Sequence, residues 1–334
     1  MRFGCPIPRL SGYAPAVPTP FSQDGSIDLP ALERFCDRLI REHATALVVC
    51  GTTGEAPTLS PAEDDAVIRT AVAAADGRVP VIAGAGSNST SHAIDLARQA
   101  EAAGADAILA VVPYYNRPTQ AGLLAHFRAL ADATALPLIL YDVPSRTACK
   151  LADDTIARLA EHPRCIGLKD ASGDIARPAR LRALAGPDFR LLSGDDATAL
   201  GFIANGGHGC ISVTANVATG LCRSMYLAWK HGQTGHAQRL ALALARLNET
   251  LFAETNPAPL KYALSLMGSM SPAVRLPLVE ASDACRAAIA AVLEDLSDHY
   301  PNDLIAKLKD RPSGRSRSDP DRAAQLAARP AIAI

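Results

Sequence analysis

The stretch Cys165-Ile166-Gly167-Leu168-Lys169 sets an unbroken uncharged run directly ahead of a lysine, with Asp170 next. Short runs of this kind, without polar alternation, suit parallel strands buried on both faces. Seven more punctuate the chain: Ala14–Val17, Ala46–Cys50, Val79–Ala83, Ala107–Val112, Leu138–Tyr141, Phe189–Leu192 and Gly209–Ser212. Helical patterns fill the gaps. Leu29–His43 puts Leu32, Phe35, Cys36, Leu39 and Ile40 on one face. Pro61–Ala75 follows Ser60, an N-cap residue, with Pro61 at the first helical position and Glu63 in the first turn. Ser91–Ala103, Thr119–Ala133, Asp153–Ala160, Ile175–Ala185 and Ala197–Asn205 continue the rhythm, and Gly104 and Gly206 follow two of them as C-caps. Eight strand–helix units predict an α/β fold, a (β/α)8 TIM barrel over residues 10–218. The alternative is a doubly wound sheet. Its usual glycine-rich dinucleotide turn after the first strand is missing from Ala14–Phe21.

Beyond the eighth run the pattern changes. Gly220–His231, Gly235–Phe252, Pro257–Gly268 and Ser282–Ser297 read as helices with no strands between, so residues 219–300 are expected to form a helical C-terminal region. Residues 301–334 include KLKDRPSGRSRSDPDR from Lys307 and read as a disordered tail. Asp310, Asp319 and Asp321 interrupt its positive charge, which argues against a nucleic-acid partner.

With 334 residues, 49% of them hydrophobic, the chain can bury a full core, and a net charge of −1 selects neither a polyanion nor a membrane surface as partner. The opening MRFGCPIPRL has no long apolar segment and no small-residue cleavage site, so no secretory signal is expected. No apolar run approaches the roughly 18 residues of a spanning helix. None of the eight cysteines forms a C-x-x-C pair. No metal site is expected, and buried, reduced thiols fit a cytoplasmic protein.

In such a barrel, chemistry sits where strands end at the C-terminal face. The chain has six lysines, and Lys169 alone closes an apolar run. Desolvation disfavours an ammonium and leaves the free amine as a nucleophile, a role guanidinium cannot take. The competing reading is a lysine that reaches solvent or pairs with Asp170. Tyr141 closes the neighbouring run and could pass protons to that amine, or serve only as a core aromatic. Thr52 and Thr53 follow the second run. Their hydroxyls and amides could hold a carboxylate or relay a proton, or simply build a turn. Arg146 could grip a substrate carboxylate with two parallel bonds, or sit in a structural ion pair. Amine, phenol, hydroxyls and guanidinium at one barrel end together suit imine chemistry on a 2-oxo acid.

GTTGE (51–55), AGAGSNST (83–90), PYYNRP (113–118), LYDVPSRT (140–147), GLKDASG (167–173), LLSGDDA (191–197), GGHGCISVTANVA (206–218) and NPAPLK (256–261) resemble the dihydrodipicolinate synthase and N-acetylneuraminate lyase superfamily. The likeness covers about Ala14 to Leu278, and PYYNRP with VPSRT points to its synthase branch. The resemblance implies that Lys169 forms the imine and that Tyr141, Thr52 and Tyr115 relay protons, Tyr115 being given by a neighbouring subunit. It implies that Thr53 and Ile211 hold the pyruvate carboxylate and that Arg146 recognises the aldehyde substrate. The implied reaction condenses pyruvate with L-aspartate-4-semialdehyde to 4-hydroxy-tetrahydrodipicolinate, toward diaminopimelate and lysine. The imine nitrogen is the electron sink, so no cofactor is expected. The implied assembly is a homotetramer of tight dimers.

Lysine-inhibited relatives carry a pocket at the tight dimer interface. Tyr114 and Asn88 match its carboxylate side. On the ammonium side His92 replaces a glutamate, Pro61 and Asp64 replace two histidines, and Ala56 replaces a serine. Weak or absent inhibition by lysine is therefore expected. Two other readings stand beside the synthase. One is a sister aldolase or dehydratase acting on another 2-oxo acid, against which Arg146 and Tyr115 argue. The other is a silent binding paralogue, against which the full reactive set argues.

Overall fold

Eight short strands form one parallel sheet: β1 (Gly12–Pro15), β2 (Leu47–Val49), β3 (Val81–Gly84), β4 (Ala107–Val111), β5 (Leu138–Asp142), β6 (Cys165–Asp170), β7 (Arg190–Ser193) and β8 (Gly209–Ser212). The order is β1-β8-β7-β6-β5-β4-β3-β2. The seam between β1 and β2 closes through a parallel bridge, Ala16 to Val48, where the Val17 N–H donates to the Val48 carbonyl at 2.8 Å. This is the expected barrel. The computed structural model describes residues 10–300; Cys5 and the expected tail over 301–334 lie outside the described residues.

The strands are apolar throughout because both faces are covered. Val48, Ile82, Leu109, Ile139, Tyr141, Leu192 and Ile211 point into the barrel and form its inner cluster. Their neighbours Leu47, Val49, Val81, Ile108, Leu138, Leu140, Leu168 and Cys210 point outward and join the helices in the larger core. Alternate residues of a strand face opposite sides, so one strand feeds both clusters. Where neighbouring strands must come closest, a side chain would not fit. A Cβ at Gly84 would stand 1.9 Å from the Cys50 carbonyl oxygen.

Local signals place the helices. Ser60 caps Pro61–Ala75 in a full capping box, its hydroxyl accepting from the Glu63 N–H while Glu63 accepts from the Ser60 N–H. Ser89 and Thr119 likewise cap Thr90–Ala102 and Gln120–Asp132. Gly104 and Gly206 take left-handed φ of 88° and 101° just past two helices, as expected.

The first strand sits two residues earlier than the Ala14–Val17 run, because at Ala16 the backbone leaves β8 and turns to bridge β2. Pro144–Thr147 is a single helical turn, and Ala56–Thr58 and Thr214–Asn216 are 3-10 turns, where loops are expected. Four residues or fewer show no helical period to read. After β8, the helix Thr219–Lys230 packs on β1, and Thr234–Leu251, Ala258–Leu266 and Asp283–His299 pack on one another.

Candidate active site

The strand register sets the centre of the site. β5 and β6 pair so that Tyr141 faces Lys169 and Asp142 faces Asp170. Leu140 and Leu168 point outward into the helical layer, so the next residues, Tyr141 and Lys169, point into the barrel. The Lys169 amine lies 4.2 Å from the centroid of the Tyr141 ring, and the residue is only 7% exposed. A Cβ on Gly194 would come within 3.0 Å of the Lys169 Cε, so the glycine leaves room for the lysine stem. Asp170 does not pair with Lys169. Its carboxylate accepts from Arg177 Nη1 at 3.3 Å and from the Ser172 N–H at 2.8 Å.

Thr52 and Thr53 stand on a tight turn whose flanks, Cys50 and Glu55, hold left-handed φ of 53° and 56°. The Glu55 N–H donates to the Thr52 carbonyl, and the Thr19 hydroxyl donates to the Gly54 carbonyl. The Thr53 hydroxyl accepts from Asn256 Nδ2 at 3.0 Å, leaving its own proton to donate. Ile211 is buried at the inner end of β8.

A cavity of about 520 Å³ opens at this face; Thr52, Tyr141, Arg146, Asp64, His92 and Tyr114 line it, while Lys169, Thr53 and Ile211 do not. Arg146 stands exposed on the turn Pro144–Thr147, with no carboxylate partner among the described residues. Tyr115 is not part of the cavity wall. It is 90% exposed at φ 73°, projecting from the loop after β4. Asn88 is half-buried beside that loop, and its carbonyl accepts from Asn116 Nδ2 at 2.8 Å. Of the residues expected on the ammonium side of a lysine pocket, Ala56, Pro61, Asp64 and His92 all line this same cavity. Burial pushes the Asp64 carboxyl up, and its polar neighbour is Gln99 Nε2 at 3.4 Å.

Three residues that support the site have no role in the sequence reading, although Asn256 and Lys261 lie in its NPAPLK motif. Lys261, placed there on an ordinary C-terminal helix, is wholly buried. Its amine pairs with Glu55 Oε1 at 2.5 Å and donates to the Ala273 carbonyl, and it lies 4.0 Å from the Phe21 ring centroid. Burial brings it down to about 8, against the pull of Glu55. Glu55 also accepts from the Arg275 N–H, so the reactive turn is anchored to the C-terminal helices. Asn256 adds the bond to Thr53. Arg177 is buried among three aspartates. The one local hint for Lys261 is its setting among Ala258, Leu260, Ala263 and Leu264.

An amine and a phenol facing each other near the ends of adjacent barrel strands, with a guanidinium on the cavity wall, can support Schiff-base chemistry of the lyase type. Residues 9–296 match the model of the Dihydrodipicolinate synthetase family. A 4-hydroxy-tetrahydrodipicolinate synthase of Acidiphilium cryptum is 50% identical over 285 residues, covering 85% of this chain and 98% of that protein. Among solved structures, the chloride-inhibited dihydrodipicolinate synthase of Acinetobacter baumannii, complexed with pyruvate, is 42% identical with a TM-score of 0.83, covering 85% of this chain and 98% of that one. The enzyme of Cyanidioschyzon merolae with lysine bound is 37% identical, also with a TM-score of 0.83, over 85% of this chain and 97% of that one. The chain belongs to the dihydrodipicolinate synthetase family. Its activity is 4-hydroxy-tetrahydrodipicolinate synthesis, a step of diaminopimelate and lysine biosynthesis.

Proposed function

We propose that Lys169 carries this reaction by forming an imine with pyruvate, and that L-aspartate-4-semialdehyde is the aldehyde partner. The observation that carries the reading is the Lys169 amine, 4.2 Å from the Tyr141 ring centroid at facing ends of two barrel strands. The Lys169 nitrogen attacks the ketone carbon and forms a carbinolamine. Loss of its hydroxyl as water leaves a cationic imine. The methyl carbon then loses a proton, and the electron pair moves toward the positive nitrogen to give an enamine. That carbon attacks the aldehyde carbon, and the aldehyde oxygen takes up a proton. The amino group of the second substrate then attacks the imine carbon, closing the ring and releasing the Lys169 amine.

Tyr141 moves the protons at the imine carbon, with Thr52 and a neighbouring subunit's Tyr115 completing the relay. Thr53 and Ile211 hold the pyruvate carboxylate. The Asn256 bond to the Thr53 hydroxyl supports this, since it occupies the oxygen as acceptor and leaves the hydroxyl proton to donate. Arg146, at the cavity wall and without a carboxylate partner among the described residues, takes the carboxylate of the aldehyde substrate. Tyr115 at 90% exposure supports a homo-oligomer, read as a tetramer of tight dimers. The seven described cysteines are all free, which supports a reducing, cytoplasmic setting.

Borohydride reduction in the presence of pyruvate tests the assignment. One pyruvate-derived adduct is expected, on the peptide that contains Lys169. An adduct that persists in Lys169→Ala overturns it.

A further inference from the structure

We propose that Arg177 is a positioning residue: by joining the Asp142 and Asp170 carboxylates it fixes Tyr141 against Lys169. This rests on the assignment of those two residues to the chemistry. Arg177 is the first residue of the helix Arg177–Ala185 that follows β6, and its side chain is fully buried. A single nitrogen, Nη1, donates to Asp142 Oδ2 at 2.8 Å and to Asp170 Oδ2 at 3.3 Å. Nε donates to Asp153 Oδ1 at 2.8 Å, and Nη2 donates to the Leu151 carbonyl at 2.5 Å.

The place of this bridge matters more than its strength. Asp142 and Asp170 are paired neighbours in the sheet and come directly after Tyr141 and Lys169. Successive strand residues face opposite sides, so the aspartates sit on the outer face of the same wall whose inner face carries the amine and the phenol. Arg177 therefore touches no reacting atom. Two buried carboxylates side by side repel, and that repulsion would part the ends of β5 and β6. One shared guanidinium reverses its sign at the height where the amine must meet the ring. The planar fork reaches four acceptors at once, which a lysine's single ammonium cannot do. Misplacing a reacting group by about 1 Å can cost on the order of a hundredfold in rate.

The third aspartate supplies a matched control. Asp142 uses its other oxygen for the Leu151 N–H, Asp170 for the Ser172 N–H, and Asp153 for Arg180 Nε. Asparagine at any of the three must therefore turn an NH2 group against a donor. Only at 142 and 170 does the lost contact lie on a catalytic strand; Asp153 opens the helix Asp153–Ala160.

The test compares Asp142→Asn, Asp170→Asn and Asp153→Asn for kcat, KM, melting temperature and the rate of pyruvate trapping by borohydride. Asp142→Asn and Asp170→Asn should lower kcat and the trapping rate tenfold or more, with KM for the aldehyde within threefold. Asp153→Asn should keep kcat within about twofold of the parent, whatever its melting temperature. Arg177→Lys should fall with the first pair. Equal kcat in all three asparagine variants, or losses that follow melting temperature alone, overturns the proposal. Trapping that maps to Lys169 in the parent and is unaltered in Asp142→Asn and Asp170→Asn defeats the positioning role alone. Trapping that maps to another residue defeats the underlying assignment.

Discussion

Arg146 is ambiguous in sequence, and its setting in the fold supports one of its two readings. From sequence it fits an ion pair and a substrate contact equally. In the structure it lines the cavity without a carboxylate partner among the described residues, so its charge is free for a ligand. Arg146→Ala should raise the KM for aspartate semialdehyde roughly tenfold to a hundredfold, as a charge-assisted contact is worth about 1.5–3 kcal/mol. KM for pyruvate should stay nearly unchanged. Equal rises for both substrates in steady-state kinetics would show that Arg146 holds the loop instead. Lys169 was legible because a charged residue closing an apolar run is locally costly and so conspicuous. Lys261, Asn256 and Arg177 were not, because their meaning lies in distant partners. Asn256 reaches Thr53 across 203 positions of sequence, and Arg177 reaches Asp142 across 35. No window of a single element contains both ends of such a contact.

Helices carry their charge at their ends, and this bears on the part of the cavity wall that Pro61, Asp64 and His92 line. Pro61 and Asp64 open the helix Pro61–Ala75, and His92 lies in the first turn of Thr90–Ala102. Helix N-termini are electropositive and disfavour an ammonium, each by about 0.3–1 kcal/mol. Where lysine-inhibited relatives place a glutamate, His92 offers no negative charge. Asp64 lines the same wall, but burial pushes its carboxyl toward the neutral form. Losing the carboxylate partner of a largely buried ammonium costs about 3–5 kcal/mol, or roughly two to three decades of affinity or more. Initial rates at saturating substrates should therefore change little with L-lysine up to millimolar levels. Half-inhibition below a millimolar would mean that Asp64 does the work of the missing glutamate. The elements that make this wall were readable to within a residue or two: Ser60 marks one helix start with a capping signature, while the helix capped by Ser89 begins at Thr90, one residue before the expected Ser91. Strand limits drifted where pairing partners change, as at Ala16, and the one-turn helix under Arg146 was too short to declare a period.

A single copy of the barrel leaves Tyr115, proposed for the proton relay, stranded. Tyr115 is 90% exposed and holds φ at 73°, and Arg117 two residues on holds 48°. Left-handed backbone costs a non-glycine residue about 1–2 kcal/mol, and neither burial nor a hydrogen bond to the Tyr115 side chain offsets that within the described chain. Asn116, between them, locks the loop through the Tyr114 and Asn88 carbonyls, so the tyrosine is held outward rather than left loose. A second copy related by a two-fold axis would receive this side chain and return its own, because such an interface is reciprocal. On the proposed assembly, each site would draw groups from two chains. Tyr115→Phe and Lys169→Ala should each be nearly inactive alone. In a heterodimer of the two, one site unites an intact Lys169 with an intact Tyr115, while the other lacks both. Purified heterodimers, selected with two different affinity tags, should therefore regain up to half the parent activity. If Tyr115 served its own chain, each site would carry one defect and the mixed dimer would stay as inactive as its parents.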